Sequence, residues 1–507
     1  MSLIAWQVRT LLLMNTSQTQ FDPEKQRQVV QALLKVLPAA SVLFHTEDTK
    51  PYECDGLAAY SQLPMIVILP ESEQQILAAL AVCRKLSVPV VPRGAGTGLS
   101  GGAMPVADGI VISTARLNQI VKLDQAARTA VVQPGVRNLA ISEAVAALGL
   151  YYAPDPSSQI ACTIAGNVAE NSGGVHCLKY GLTLHNILRV RVATIEGDII
   201  ELGSEALDAP GLDLLAVFIG SEGMLGIVTE VTVKLIPKPE CAQVIMASFT
   251  DVTTACNAVS NIIQAGIIPA GLEMMDQTSI HMVEPFVQAG YDLNAAAILL
   301  CESDGTQAEV ADEISRMSAV LQQAGASAIA VSQTEAERLR FWSGRKNAFP
   351  AAGRISPDYY CMDGTIPRKK LGQVLQGIAA LEQKHQLRCA NVFHAGDGNL
   401  HPLILFDASI PGEFDRAEQF GTDILSMCVD VGGTITGEHG VGIEKINAMC
   451  LQFSASECAA FMAVKHAFDV PGLLNPTKAI PTLHRCAEFG REHVHHGQQK
   501  FPELSRF

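Results

Sequence analysis

Apolar positions along the chain follow two alternating periods, and the switches between them mark out its elements. Residues 22–37 set Val29, Leu33, Leu34 and Val36 on one helical face, and Pro38 ends the run. Met65-Ile66-Val67-Ile68-Leu69, bracketed by Pro64 and Pro70, is a strand. Residues 71–86 return to helical spacing through Ile76, Leu77, Leu80 and Val82, and 88–91 is again a strand. This is a βαβ order. It runs straight into Pro92-Arg93-Gly94-Ala95-Gly96-Thr97-Gly98-Leu99-Ser100-Gly101-Gly102, which holds five glycines within residues 94–102. Glycine lets backbone N–H groups approach a ligand closely, and a run of them can make an anion-binding nest. A plain surface loop has the same composition, so the glycines alone leave both readings open. The next predicted element is a strand at 109–113 instead of a helix, which argues against a Rossmann fold.

The pattern continues with a strand at 129–136, a helix at 139–148 and an irregular, proline-bracketed stretch at 151–158. Residues 163–174 read as a second backbone-rich loop of small residues, and two such loops suggest a long ligand held by main-chain groups. A hairpin at 188–195 and 198–202 follows, then Gly220-Ser221-Glu222-Gly223-Met224-Leu225-Gly226 leading into a strand through Leu235. Pro237-Lys238-Pro239 marks a boundary. Beyond it, strands at 242–249, 295–302, 327–332 and 358–366 alternate with helices at 251–265, 306–324, 334–346, 368–385 and 413–429, with a hairpin at 389–407. That is an α+β cap on an antiparallel sheet. Residues 441–482 read as helical. The expected organisation is an N-terminal extension and helix at 1–45, a cofactor domain at 46–238, a substrate cap at 239–430 and a helical segment at 431–507 returning to the first domain.

Composition narrows the function. A net charge of -15 argues against nucleic acid as a partner. The 13 cysteines are odd in number and show no CxxC spacing, which suits free thiols in a reducing compartment and argues against an iron–sulfur cluster within the chain. The apolar run within Met1 to Met14 is too short to span a bilayer. The expectation is a cytoplasmic protein that meets a membrane only through partners.

The cap carries the candidate chemistry in His394-Ala395-Gly396-Asp397-Gly398-Asn399-Leu400-His401. A two-residue turn at Asp397-Gly398 would oppose Gly396 with Asn399, Ala395 with Leu400 and His394 with His401. Opposed Cβ atoms lie about 4.5–5.5 Å apart, close enough for two imidazoles to share a divalent ion. A third, anionic ligand is then wanted, and Glu438 in Thr436-Gly437-Glu438-His439-Gly440 is the candidate. The alternative is a polar hairpin with two solvated histidines.

Together with Pro154-Asp155-Pro156 and Leu474-Asn475-Pro476, these motifs resemble the flavoproteins of the vanillyl-alcohol oxidase and p-cresol methylhydroxylase fold. The cap motifs narrow the resemblance to the FAD-linked D-2-hydroxyacid dehydrogenases, glycolate oxidase type. The resemblance implies an α+β chain, with a two-subdomain FAD-binding domain and an α+β cap. It implies FAD held by Arg93, Gly94, Ala95, Gly96, Thr97 and Gly98, by Pro154, Asp155 and Ser157, by Thr163, Gly166, Asn167 and Gly173, and by Glu222, Gly226, Ile227 and Asn475. Thr97 stands where some members attach the flavin to a histidine, so the FAD is expected to be non-covalent. The resemblance also implies a divalent metal (zinc, iron or manganese) on His394, His401 and Glu438, with His439 at the substrate. Oxidation of a 2-hydroxy acid needs a carboxylate anchor, for which Arg345 is the candidate, and a base, for which His439 is suited. The alternative for Arg345 is a surface ion pair on its helix. Cys361 and Leu403 stand where relatives acting on hydroxyglutarate carry polar or basic residues, so a small substrate is expected: glycolate, giving glyoxylate, or D-lactate. Implied partners are a second flavin-type subunit and an iron–sulfur subunit. A stand-alone D-lactate dehydrogenase and a non-catalytic electron-relay subunit are the alternatives.

Overall fold

The computed structural model describes residues 21–206 and 211–481, with two short strands at 494–495 and 498–499. The apolar run at Met1 to Met14 and the side chains of the polar tail from Ala487, with its three histidines, lie outside the described residues.

Strands β1 (Val42–Leu43), β2 (Ile66–Ile68), β3 (Val90–Arg93) and β4 (Ile110–Ser113) form a sheet in the order β1-β2-β4-β3, parallel except for β1. β2 and β4 are buried throughout, which is why their sequences are unbroken apolar runs and not alternations. The helices Pro23–Leu33 and Glu73–Lys85 cover the sheet with Val29, Leu33, Ile76, Leu80 and Cys83. Each starts at a side-chain cap, Asp22 accepting from Glu24 N and Ser72 from Gln75 N.

The second sheet is antiparallel. It contains β5 (Ile120–Asp124), β6 (Thr129–Val132), β8 (Ile187–Ala193), β9 (Ile199–Gly203) and β10 (Ile227–Lys234) in the order β5-β6-β10-β8-β9, while β7 (Leu150–Tyr151) pairs with β11 (Ile236–Pro237). The edge strand β5 was not expected from the sequence, because Val121 and Leu123 point to solvent and its pattern lacks a buried face.

The third sheet has seven antiparallel strands: β12 (Cys241–Phe249), β13 (Gly271–Asp276), β14 (Ala297–Gly305), β15 (Ala328–Val331), β16 (Asp358–Cys361), β17 (Arg388–Phe393) and β18 (Pro402–Phe406). Their order is β15-β12-β14-β13-β17-β18-β16. Helices Val252–Gln264, Gln307–Gln323, Leu371–His385 and Glu413–Asp430 bury one face of it, and Gln277–Val287 and Glu335–Lys346 pack on the other. This is the α+β cap that the alternation of periods predicted, with β13 and the helix after it added.

Three local expectations are corrected. Residues 163–174 are not all loop: Ile164–Glu170 is a short helix that buries Ile164, Asn167 and Val168. Helix in 441–482 is confined to Met449–Gln452 and Ala455–Phe468, because the stretch before them wraps a buried carboxylate: the N–H groups of Val441 and Gly442 donate to Glu222 at 2.7 and 2.6 Å. The hairpin turn is longer than two residues. His394 opposes Asn399, and Gly398 N, on a residue at φ +86°, donates to His394 O at 3.0 Å. The register is thus offset by two from the expected one, and a shift of two leaves side chains on the same face.

Leu473–Asn475 returns to the first sheet and lies along β3, with Val90 N donating to Leu473 O at 2.8 Å and Asn475 N to Val90 O at 2.7 Å. Among the described residues eleven cysteines are free thiols, while Cys450 is disulfide-bonded, against the expectation of free thiols. No helix among the described residues is long and apolar enough to cross a membrane.

Candidate active site

A cavity of about 430 Å³ opens between the first two sheets and the cap. One wall is the glycine-rich backbone. Arg93, Gly94, Ala95, Gly96, Thr97, Gly98, Ser157, Thr163, Gly166, Asn167, Glu222, Gly226 and Ile227 all line it. The other wall comes from the cap through Arg345, His401, Glu438 and His439.

The glycines are there because neighbours already occupy the space a side chain would need. A Cβ at Gly94 would run into Thr163 Oγ1, and one at Gly96 into the guanidinium of Arg93. That guanidinium folds under the loop and donates to Cys54 O at 2.8 Å. Thr163 Oγ1 and Ser221 Oγ are buried on the cavity wall with no protein hydrogen-bond partner. Such groups call for a polar ligand. Glu170, which sequence reasoning missed, also lines the cavity; burial and then the Glu222 carboxylate favour its neutral form.

Four predicted cofactor residues do not line the cavity. Pro154 O accepts from Asn138 Nδ2 at 3.0 Å. Asp155 pairs with His176 Nδ1 at 2.7 Å. Gly173 packs on Glu438, whose Oε2 a Cβ would meet at 2.6 Å. Asn475 Nδ2 ties Gly102 O and Glu222 O together at 2.9 and 2.6 Å, bracing the loop from behind.

On the cap side, His394 Nε2 and His401 Nε2 lie 3.4 and 2.9 Å from Glu438 Oε1. One donor atom from each of the three falls within 4.8 Å of the others, as a shared cation would need. The two histidine rings stay 5.0 Å apart despite the offset register, because diagonal neighbours on one face are still within reach. His439 stacks on His401 at 5.1 Å with 12° between the planes. Burial pushes the His439 imidazole down to about 4, which keeps it neutral and able to accept a proton.

Behind this wall sits Glu273 on β13, 1% exposed. Its Oε2 accepts from Arg345 Nε at 2.5 Å and its Oε1 lies 2.6 Å from His394 Nδ1. Burial opposes its charge, but His394 and Arg345 hold its carboxyl below the usual range. One carboxylate therefore orients both the anchor candidate Arg345 and the metal-ligand candidate His394, whose Nε2 lies 3.4 Å from Glu438 Oε1 and 3.5 Å from Arg345 Nη2. Sequence reasoning missed Glu273 because it sits in a stretch, 266–294, where no element was predicted.

Asp363 holds the second cap motif. It accepts from the backbone N–H of Gly437 at 3.1 Å and of His439 at 2.9 Å, and from Thr436 Oγ1 at 2.5 Å. Burial works against its ionisation, yet His439, Lys445 and His401 keep its carboxyl well below the usual aspartate range. Its stabilisation is fully present above the unfolded value of about 3.9 and is lost as the pH falls through the lower folded value. Asp363→Asn should therefore melt below the wild type near neutral pH, with the gap closing as the pH falls below about 4. Thermal melts across that range check this; a gap independent of pH would rule out the charge as its source.

A glycine-lined cradle facing an arginine, histidines and a buried carboxylate fits an FAD-dependent oxidoreductase. The chain belongs to the FAD-linked oxidase family: residues 64–203 match its FAD binding domain and residues 238–479 the C-terminal domain of FAD linked oxidases. It is 62% identical over 479 residues to the glycolate oxidase subunit GlcD of Escherichia coli K12, covering 94% of this chain and 96% of that one. A glycolate oxidase subunit GlcD of Bacillus subtilis is 39% identical (84% and 91% covered), and a D-lactate dehydrogenase of Anaerostipes hadrus is 30% identical (89% and 97% covered). In fold the chain resembles p-cresol methylhydroxylase, with a TM-score of 0.76 at 15% identity over 92% of this chain and 98% of that one.

The cofactor is FAD, and the cradle fits it, with its unpartnered hydroxyls and close-packed glycines. Gly94→Ala should lower the flavin-to-protein ratio of the purified protein several-fold, because the methyl group displaces Thr163 into the cavity. A full flavin complement in that variant, measured by visible absorbance, would show that the loop has room to spare.

Proposed function

We propose that the protein oxidises a small 2-hydroxy acid, glycolate to glyoxylate, with D-lactate as the related substrate. The observation that carries the reading is the convergence of Arg345, His401, Glu438 and His439 on the cavity that the glycine-rich wall also lines. Arg345 Nε is taken by Glu273 and Nη2 lies 3.5 Å from His394 Nε2, so Nη1 is the terminal nitrogen left to meet the substrate carboxylate. The substrate hydroxyl then falls to the histidine side of the cavity, where the neutral His439 imidazole accepts its proton.

His394, His401 and Glu438 would hold a divalent ion. A His2Glu set suits zinc, iron or manganese, and Glu273 on His394 Nδ1 supplies the outer carboxylate such sites use. When bound, the ion supplies Lewis acidity and the flavin a hydride acceptor. Thr97 lines the cavity without a nucleophile able to bond the flavin, which supports non-covalent FAD.

Cys361 and Leu403 face each other across the β16–β18 pair, and both are buried. Neither lines the cavity, so the monocarboxylate reading rests on the resemblance at these positions and not on the lining of the pocket. The likeness to glycolate oxidase subunits supports work as one subunit of a complex; we propose that a second flavin-type subunit and an iron–sulfur subunit carry its electrons onward at the cytoplasmic side of the membrane. The D-lactate dehydrogenase relative keeps the stand-alone enzyme as the second reading.

An anaerobic substrate panel, read by bleaching of the flavin, tests the assignment. Glycolate and D-lactate should bleach it rapidly, and 2-hydroxyglutarate slowly. Bleaching by 2-hydroxyglutarate but not by glycolate would overturn the size argument.

A further inference from the structure

The stacked imidazoles of His401 and His439 carry a second set of donors. Their Nε2 atoms lie 2.9 and 3.8 Å from Glu438 Oε1. Their Nδ1 atoms are both buried with no hydrogen-bond partner. Two unpaired nitrogens in adjacent rings are unusual in a packed interior, where buried polar atoms find partners. Cys361, the last residue of β16, lies beside them. Its Sγ and one nitrogen from each ring all fall within 4.8 Å of one another. The thiol is 8% exposed as a residue and His401 is 3% exposed, so this is a built, enclosed group and not a surface cluster.

We propose that Cys361, His401 and His439 form a second cation site, for a thiophilic ion such as zinc or cadmium, held by Sγ and the two free Nδ1 atoms. The donor set is SN2, softer than the N2O set of His394, His401 and Glu438, so the two neighbouring groups prefer different ions. Manganese, which favours oxygen donors, should not compete for the sulfur site. Binding replaces the S–H bond of Cys361 with a sulfur–metal bond and releases that proton to solvent. No electron moves. The occupant takes the free nitrogen of His439, so zinc or cadmium in excess should inhibit. This inhibitory part rests on the proposed role of His439; the binding itself does not.

The test is a cadmium titration of the flavin-loaded full chain. Wild type should gain about one cadmium–thiolate ultraviolet absorption per chain, and Cys361→Ser should lose it while keeping every other thiol. In a His394→Ala variant loaded with zinc, X-ray absorption should fit one sulfur at about 2.3 Å and two nitrogens at about 2.0–2.1 Å. The site is refuted if Cys361→Ser develops the same absorption as wild type, or if the zinc spectrum fits nitrogen and oxygen alone. A sulfur-bound ion that leaves flavin bleaching by glycolate unchanged supports the site and instead overturns the assignment of His439.

Discussion

His439→Ala should slow flavin bleaching by glycolate by roughly 10²–10⁴-fold, the usual contribution of a positioned proton acceptor. The loss should fall on the rate at saturating substrate and not on KM, because the proposed carboxylate anchor, Arg345, is unchanged. Flavin content should stay at the wild-type level, since the cradle is built by the other wall. The variant should also fold normally: His439 Nδ1 has no hydrogen-bond partner to strand, and the backbone N–H that Asp363 accepts is kept. Rapid-mixing measurements under anaerobic conditions separate these quantities. Bleaching at the wild-type rate would place the proton acceptor elsewhere.

Glu273 should give the largest combined effect on stability and activity. Glu273→Ala leaves the Arg345 guanidinium, itself 3% exposed, without its buried counter-charge. Breaking such a pair by removing one partner costs about 3–5 kcal/mol, so a clear fall in the melting temperature is expected. Glu273→Gln keeps the shape and an acceptor oxygen but loses the charge. It should remain folded, with activity or metal affinity reduced about 10–100-fold, as for outer-shell partners of metal-binding histidines. Arg345 and His394 both lose their orientation, so KM and kcat should change together. A Glu273→Gln protein with wild-type kinetics would mean that Arg345 and His394 hold their positions without it.

The glycine loop after β3 and the His394–His401 hairpin are legible in the sequence because their chemistry is local. The loop after β3 shows its glycines in consecutive order, and the strand after it argues against a Rossmann arrangement. His394, His401 and Glu438 can be grouped from the sequence alone, although the hairpin register that groups the first two is off by two residues. The grouping survives because the offset preserves the face. What cannot be read is whatever depends on long-range packing. Glu273 lies where no element is predicted and Asp363 in a predicted strand without a chemical motif, and their roles come from neighbours 121 and 76 residues away in the chain. Asn475 and Glu222 sit in motifs that point to the cofactor, yet both brace the protein. Glu222 lines the cavity and clamps the backbone at 441–442. Asn475 lies behind the loop, and only the tertiary contact distinguishes the two.

Asn475, whose amide holds the carbonyl of Gly102, is 373 residues further along the chain. During synthesis the glycine loop emerges early, but the edge of its sheet stays open until Leu473–Asn475 has left the ribosome. A nascent chain therefore lacks the brace behind its glycine loop until that late segment can pair with β3.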